Sequence, residues 1–175
     1  AKLIGLDYPG VSRVDHHASL GNHKAFVFKG SKAGNLNFSF SGLKTQVLRF
    51  LEKTMPSNPD FFTVENGRNL NDFCASVQLS IISMLMDKLT LAVEETGIKE
   101  IAIAGGVSAN SGLREALKKK ETDDNWSIHI PPLSLCTDNA AMVGIAGVFD
   151  FEVGALGELN DIPSPRLPDL NIACL

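Results

Sequence analysis

The chain has 175 residues, 44% of them hydrophobic and 21% charged, a mixture that suits one sizeable core or two small lobes. Sixteen Lys and Arg stand against twenty Asp and Glu, for a formal charge of −4, which excludes a broad basic surface for wrapping nucleic acid and leaves room only for a local patch. Cys74, Cys136 and Cys174 are odd in number and lack CxxC spacing, so they read as packed thiols of a reducing cytosol rather than as a disulfide scaffold.

The chain opens on Ala1 rather than methionine, and "KLIGL" reads as the tail of a helix already under way, so a fragment or processed product is expected. "AKLIGLDYPG" lacks the basic head and long apolar core of a signal peptide, and no run approaches the ~18 apolar residues of a membrane span, so a cytoplasmic chain without membrane contact is expected. Residues 1–67 form a first zone, rich in loops and helix. Within it "LNFSF" alternates Leu36, Phe38 and Phe40 as a strand would, and a helix follows from Ser41, with Leu43, Val47, Leu48 and Leu51 at helical spacing. Pro56 and Pro59 in "MPSNPD" end it.

Residues 68–160 read as an α/β lobe. Phe73, Val77, Ile81, Leu85, Leu89 and Val93 recur every four residues and Gly97 supplies a stop, which predicts a long helix packed on two sides. "IAIA" predicts a buried parallel strand, the Gly105–Gly106 turn follows, and a helix runs from about Ser111 to Lys120. "WSIHI" predicts a second strand, and Thr137 or Asp138 is positioned to cap a helix whose inner face is Met142, Ile145, Ala146 and Phe149. This order implies the α/β class, a parallel or mixed sheet covered by helices. Residues 161–175, with "IPSPRLPDLNIACL", read as an extended surface tail.

Three motifs carry candidate chemistry. "AGGVSAN" is a strand-to-helix turn whose glycines admit a close ligand and whose helix presents free N–H groups to an anion, yet it is neither GxGxxG nor a Walker loop. A plain turn with Asn110 as cap explains it equally well. "SFSGLKT" surrounds Gly42 with the hydroxyls of Ser39, Ser41 and Thr45 ahead of Lys44, a phosphate contact or simply a capped helix with a solvated lysine. "CTDN" sets Asp138 at the C-terminal edge of the sheet, where open α/β sheets hold ligands. His16, His17, His23 and His129 lack metal-ligand spacing and read as surface or structural.

Taken in order, "LDYPG", "FSFSGLKT", "AGGVSAN" and "CTDNAAM" closely resemble the bacterial TsaD family, also called Gcp or O-sialoglycoprotein endopeptidase, from Ala1 to about Arg166. The resemblance implies the second lobe of an actin-like (ASKHA, RNase H-like) fold in the C-terminal half of a two-lobe protein. It implies transfer of a threonylcarbamoyl group from threonylcarbamoyl-AMP to the N(6) amine of the adenosine beside the anticodon in tRNAs reading ANN codons, the t(6)A modification. TsaB and TsaE are the partner subunits it implies, besides tRNA and nucleotide, and residues 1–67 become a nucleotide-facing segment.

Residue by residue, the resemblance gives Asp138 the role of a metal aspartate for iron or zinc, completed by two histidines that this sequence lacks. It gives Asn110, Gly105, Gly106 and Asp15 contacts to the nucleotide, with Asp15 at the ribose or adenine end. Where the family reads "YPGGP" this chain has "YPGVS", so Val11 stands at a glycine position and Ser12 at a proline, which alters the local pocket. Two other chemistries compete: an ATP-dependent kinase of the same superfamily, for which no catalytic carboxylate is identified, and a metalloprotease as in the older label, for which HExxH is missing. A bare interaction module is the non-enzymatic alternative.

Overall fold

Thirty residues from Gly67 to Thr96 form helix α3, and the chemistry of its two flanks organises the fold. A computed structural model describes residues 1–7, 10–29, 34, 36–63 and 67–162. The other elements are α1 (Gly10–Ser19), α2 (Phe40–Thr54), β1 (Glu100–Ala102), α4 (Ser111–Asp124), β2 (Ser127–His129) and α5 (Ala140–Glu152). The chain divides into two compact units, Ala1–Thr137 and Asp138–Leu175.

On one flank of α3 lies an aromatic core. Phe73 of α3 sits with its ring centroid 5.6 Å from Phe28, 5.6 Å from Phe50 and 6.1 Å from Phe26, and Phe61 and Phe62 close the cluster. Most of these pairs meet edge to face, the geometry that the ring quadrupole favours, each pair adding ~0.5–1.5 kcal/mol beyond its buried area. Phe26 and Phe28 arrive on a segment that is neither helix nor strand, so its backbone needs partners from side chains. Ser76 Oγ accepts from Phe26 N at 3.1 Å, Ser80 Oγ donates to Phe28 O at 3.0 Å, and Asp72 Oδ1 accepts from Asn22 N at 2.6 Å. Gln46 of α2 completes the set, taking Lys29 N at 2.9 Å and donating its amide to the Lys29 carbonyl. One turn-by-turn row of small polar residues on α3 thus ties a loop to a helix.

The other flank receives α1 and α4, which approach closely because glycine faces α3 at both crossings. A Cβ on Gly21, just beyond α1, would stand 2.1 Å from the Asn71 carbonyl oxygen, and one on Gly112 of α4 would stand 2.8 Å from Ile82 Cδ1. His17 Nδ1 also meets Asn71 Oδ1 at 2.7 Å. Beyond α4, β1 and β2 pair in parallel with Ile101 opposite Ile128, and Ile103 N extends the ladder to His129 O at 3.1 Å. Trp126 is buried where β2 begins, and α4 ends on Asn125 in the left-handed region at φ 55°.

The long helix, both strands and the α/β class follow the sequence reading, and Gly97 ends α3 with φ +72°. Four expectations are corrected. "LNFSF" is not a strand: Phe40 already opens α2, and Leu36, Phe38 and Phe40 are exposed because no described strand lies alongside to pair with them. "IAIA" is only half-buried, since a two-stranded sheet covers little of either strand. The cap of α5 is neither Thr137 nor Asp138 but Asn139, whose Oδ1 accepts from Met142 N at 3.0 Å, the three-residue reach that a cap requires.

The fourth correction concerns membranes. Arg68–Thr96 contains an 18-residue window of mean hydropathy 1.3, so α3 is long and apolar enough by length and composition to cross a membrane. Packed side chains lie on two flanks of α3, yet only 11% of that window is buried. Cys74 and Cys136 are packed thiols as expected, while Cys174 and the tail "PSPRLPDLNIACL" lie outside the described residues.

Phe73→Ala removes the ring shared by four aromatic neighbours and should lower unfolding free energy by ~3–5 kcal/mol in chemical denaturation. Burial pushes the Cys74 thiol up to about 11. The folded state therefore holds this proton longer than the unfolded chain does. Stability from the group is intact below the ordinary thiol value and is lost as pH rises toward 11. Melting curves collected across alkaline pH should show a steeper decline for this protein than for Cys74→Ala.

Candidate functional site

The turn after β1 is shaped by what its glycines permit. Gly105 has φ +80° and ψ 173°, a conformation that side chains disfavour, and a Cβ there would meet nothing within 4 Å. Conformation, not crowding, demands glycine at this position. A Cβ on Gly106 would only touch Thr137 Cγ2 at 4.0 Å, so the outer face of the turn is open. Ser108 N and Ser108 Oγ both donate to Gly105 O, at 3.0 and 2.7 Å, closing the short 3-10 turn Gly106–Ala109 from within.

Asn110 then starts α4 and does more than cap it. Its Oδ1 accepts from Leu113 N at 2.9 Å, while its Nδ2 donates to Asp15 Oδ1 at 3.0 Å and to Gln78 Oε1 at 2.9 Å. Both amide hydrogens are used, and one acceptor site on Oδ1 remains. Asp15 on α1 also takes Ser111 Oγ at 2.8 Å and Ser111 N at 3.4 Å, so a carboxylate rests at the positive end of α4. One amide thus joins α1, α3 and α4.

Under this junction lies a cavity of about 190 Å³ lined by Val11 and Val14 of α1, Val77, Gln78, Ile81, Ile82 and Leu85 of α3, and Val107, Asn110 and Leu113. Pockets for whole drug-sized ligands run to roughly 300–1,000 Å³, so this one admits a ring or a short alkyl group. Val11 is itself exposed and contributes an apolar wall at its rim.

Arg114, one turn into α4, faces back beneath the glycine turn. Its Nε donates to Ser108 O at 2.6 Å and its Nη2 to Pro131 O at 2.8 Å and Cys136 Sγ at 3.0 Å.

Comparison with known proteins matches residues 1–145 to the family model described as TsaD, tRNA N6-adenosine threonylcarbamoyltransferase. The chain is 53% identical to the tRNA N6-adenosine threonylcarbamoyltransferase of Christiangramia forsetii over 84% of this chain and 42% of that protein. It is 46% identical to the one of Cytophaga hutchinsonii over 95% of this chain and 48% of that protein, and 43% identical to the one of Riemerella anatipestifer over 98% and 49%. The chain belongs to the TsaD family. It spans about half the length of these curated relatives.

The TsaD motifs are distributed between the two units. Asp15, Gly105, Gly106, Asn110 and Val11 all lie in the first, where Asp15 and Asn110 are in direct contact. Asp138 opens the second unit, exposed and one residue ahead of the Asn139 cap. Among the described residues no three His, Cys, Asp or Glu side chains gather. His129 Nε2 instead meets Glu100 Oε1 at 3.0 Å. In "SFSGLKT", Ser39 sits at the start of α2 without a side-chain capping bond, Thr45 Oγ1 donates to Ser41 O at 3.0 Å, and Lys44 is exposed.

Gln78, Ser111 and Arg114 were not singled out from sequence. Ser111 adjoins Asn110 and could have been flagged as a polar pair at a helix start. Gln78 and Arg114 each look like an ordinary polar residue on a helix, and only the crossing of α3 with α4 gives them partners.

Asn110→Ala removes the cap and leaves Asp15 and Gln78 each short of a donor. Chemical denaturation should show a loss of ~1–3 kcal/mol, with Asn110→Asp restoring the cap but not the donors to Asp15 and Gln78.

Proposed function

We propose that this chain supplies the C-terminal half of a two-lobe transferase that makes t(6)A in tRNA. The adenosine N(6) amine attacks the carbamoyl carbon of threonylcarbamoyl-AMP, a C–N bond forms, the bond from that carbon to the phosphate oxygen breaks, and AMP leaves with the electron pair. The amine gives up one proton. The observation that carries the reading is the family membership of nearly the whole chain, joined to an open Gly105–Gly106 turn beside Asn110 and Asp15.

In this reading the open turn lets the nucleotide approach the backbone, and the remaining acceptor on Asn110 Oδ1 and the Asp15 carboxylate face its polar groups. The apolar cavity behind Val11 takes a ring or methyl group of the substrate. No side chain here is needed as a covalent nucleophile, so positioning and fixed dipoles account for the chain's share of catalysis. Asp138 would supply one carboxylate to a divalent iron or zinc ion, which when bound would polarise the carbamoyl group. Cytoplasmic tRNA, TsaB and TsaE are the partners that this reading carries with it. The family model and the names of the relatives favour neither kinase nor protease chemistry.

Because Asn139 caps α5, Asp138 is free of a capping duty, and Asp138→Asn isolates its charge. In a full-length transferase carrying this sequence, that substitution should leave the melting temperature unchanged while bound metal and t(6)A formation fall together. Full activity with full metal content in the variant contradicts the assignment. The 175-residue chain alone, given tRNA and threonylcarbamoyl-AMP, should form no t(6)A.

A further inference from the structure

Three contacts close a ring around the glycine turn. The Ser108 N–H and hydroxyl both donate to Gly105 O, and the Ser108 carbonyl in turn accepts from Arg114 Nε at 2.6 Å. From the same guanidinium, Nη2 holds Cys136 Sγ at 3.0 Å, and the next residue, Thr137, brings its methyl to within 4.0 Å of where a Gly106 Cβ would stand. A further bond to Pro131 O at 2.8 Å fixes the segment that leads from β2 toward Cys136. Ser108 and Cys136 are each 1% exposed, so the ring is anchored in packed material. Among the described residues no carboxylate pairs with Arg114.

We propose that Arg114 is the positioning residue of the Gly105–Gly106 turn, setting the gap between that turn and the Cys136–Thr137 segment. The planar fork suits the task, because two backbone carbonyls and a sulfur on two separate stretches of chain are reached by one rigid group. A lysine ammonium at the end of a flexible stem reaches one of them at a time. The guanidinium also leaves a positive charge behind the turn with which no carboxylate among the described residues forms a direct pair, which favours an anionic group in front of it. Arg114 touches no substrate in this scheme. The proposal rests on the nucleotide reading of the turn and adds to it the device that holds the turn open.

The test uses a full-length transferase carrying this sequence, with Arg114→Lys as the main variant and Cys136→Ala, which deletes one acceptor, as the milder one. Arg114→Lys should raise KM for threonylcarbamoyl-AMP by about tenfold with kcat within about twofold, since ground-state binding is what the turn provides. Hydrogen exchange of the amides from Gly106 to Asn110 should accelerate by about tenfold while the α3 amides keep their rates. Cys136→Ala should shift both readouts in the same direction by less. Lower melting temperature with unchanged KM and unchanged exchange at the turn overturns the proposal, since Arg114 would then brace the fold in general. If the unsubstituted protein turns over no threonylcarbamoyl-AMP, the proposed function fails instead, and the exchange rates still decide the role of Arg114.

Discussion

The Asn110 amide is the constraint on which the rest depends. A helix cap needs only an acceptor, and Asn110 Oδ1 supplies it to Leu113 N. A serine or aspartate would do the same. What they lack is the pair of donors that Asn110 sends to Asp15 on α1 and Gln78 on α3, which fixes where three helices meet. The Asp15 carboxylate gains from the same arrangement, because it sits at the positive end of α4 and takes Ser111 as a further donor. Capping, helix packing and the orientation of a polar cluster are therefore one network, and the glycine turn is its immediate neighbour in the chain.

That network needs a rigid support, which α3 gives. Its phenylalanine flank is locked by edge-to-face rings and by the row Asp72, Ser76 and Ser80, while Gln78 and Ile82 line the cavity together with Val77 and Ile81, which also pack against the aromatic core. The second unit presents a different case. Its α5 is apolar from Ala140 to Phe149 with no buried residue, and among the described residues it is the one helix of that unit, without a second layer there against which to bury a face. Met142, Ile145, Ala146 and Phe149, read from sequence as an inner face, are all exposed.

The elements with strong periodicity were legible before any coordinates. Phe73 to Val93 at four-residue spacing gave α3, Gly97 its end, and the alternation of Trp126, Ile128 and Ile130 gave β2. "LNFSF" misled because alternation describes a strand only where a partner exists, and partners are a tertiary fact. The cap of α5, expected at Thr137 or Asp138, lies one or two residues on within "TDN", where three adjacent side chains are all good caps and only the reach to Met142 N selects Asn139. In the candidate site, Gly105, Gly106 and Asn110 could be named because their local chemistry is unusual. The contact of Asn110 with Asp15, 95 residues away, is a product of the α1–α3–α4 packing and has no local signature.

If the glycine turn is the ligand wall, then glycines are the natural reporters of it. A full-length transferase carrying this sequence, labelled with 15N at glycine alone and titrated with threonylcarbamoyl-AMP, tests the central claim most directly. The account predicts saturable shifts of the Gly105 and Gly106 amide resonances, while Gly21 and Gly97, which lie at a helix crossing and a helix end, stay in place. Saturable binding that leaves Gly105 and Gly106 unmoved would contradict it.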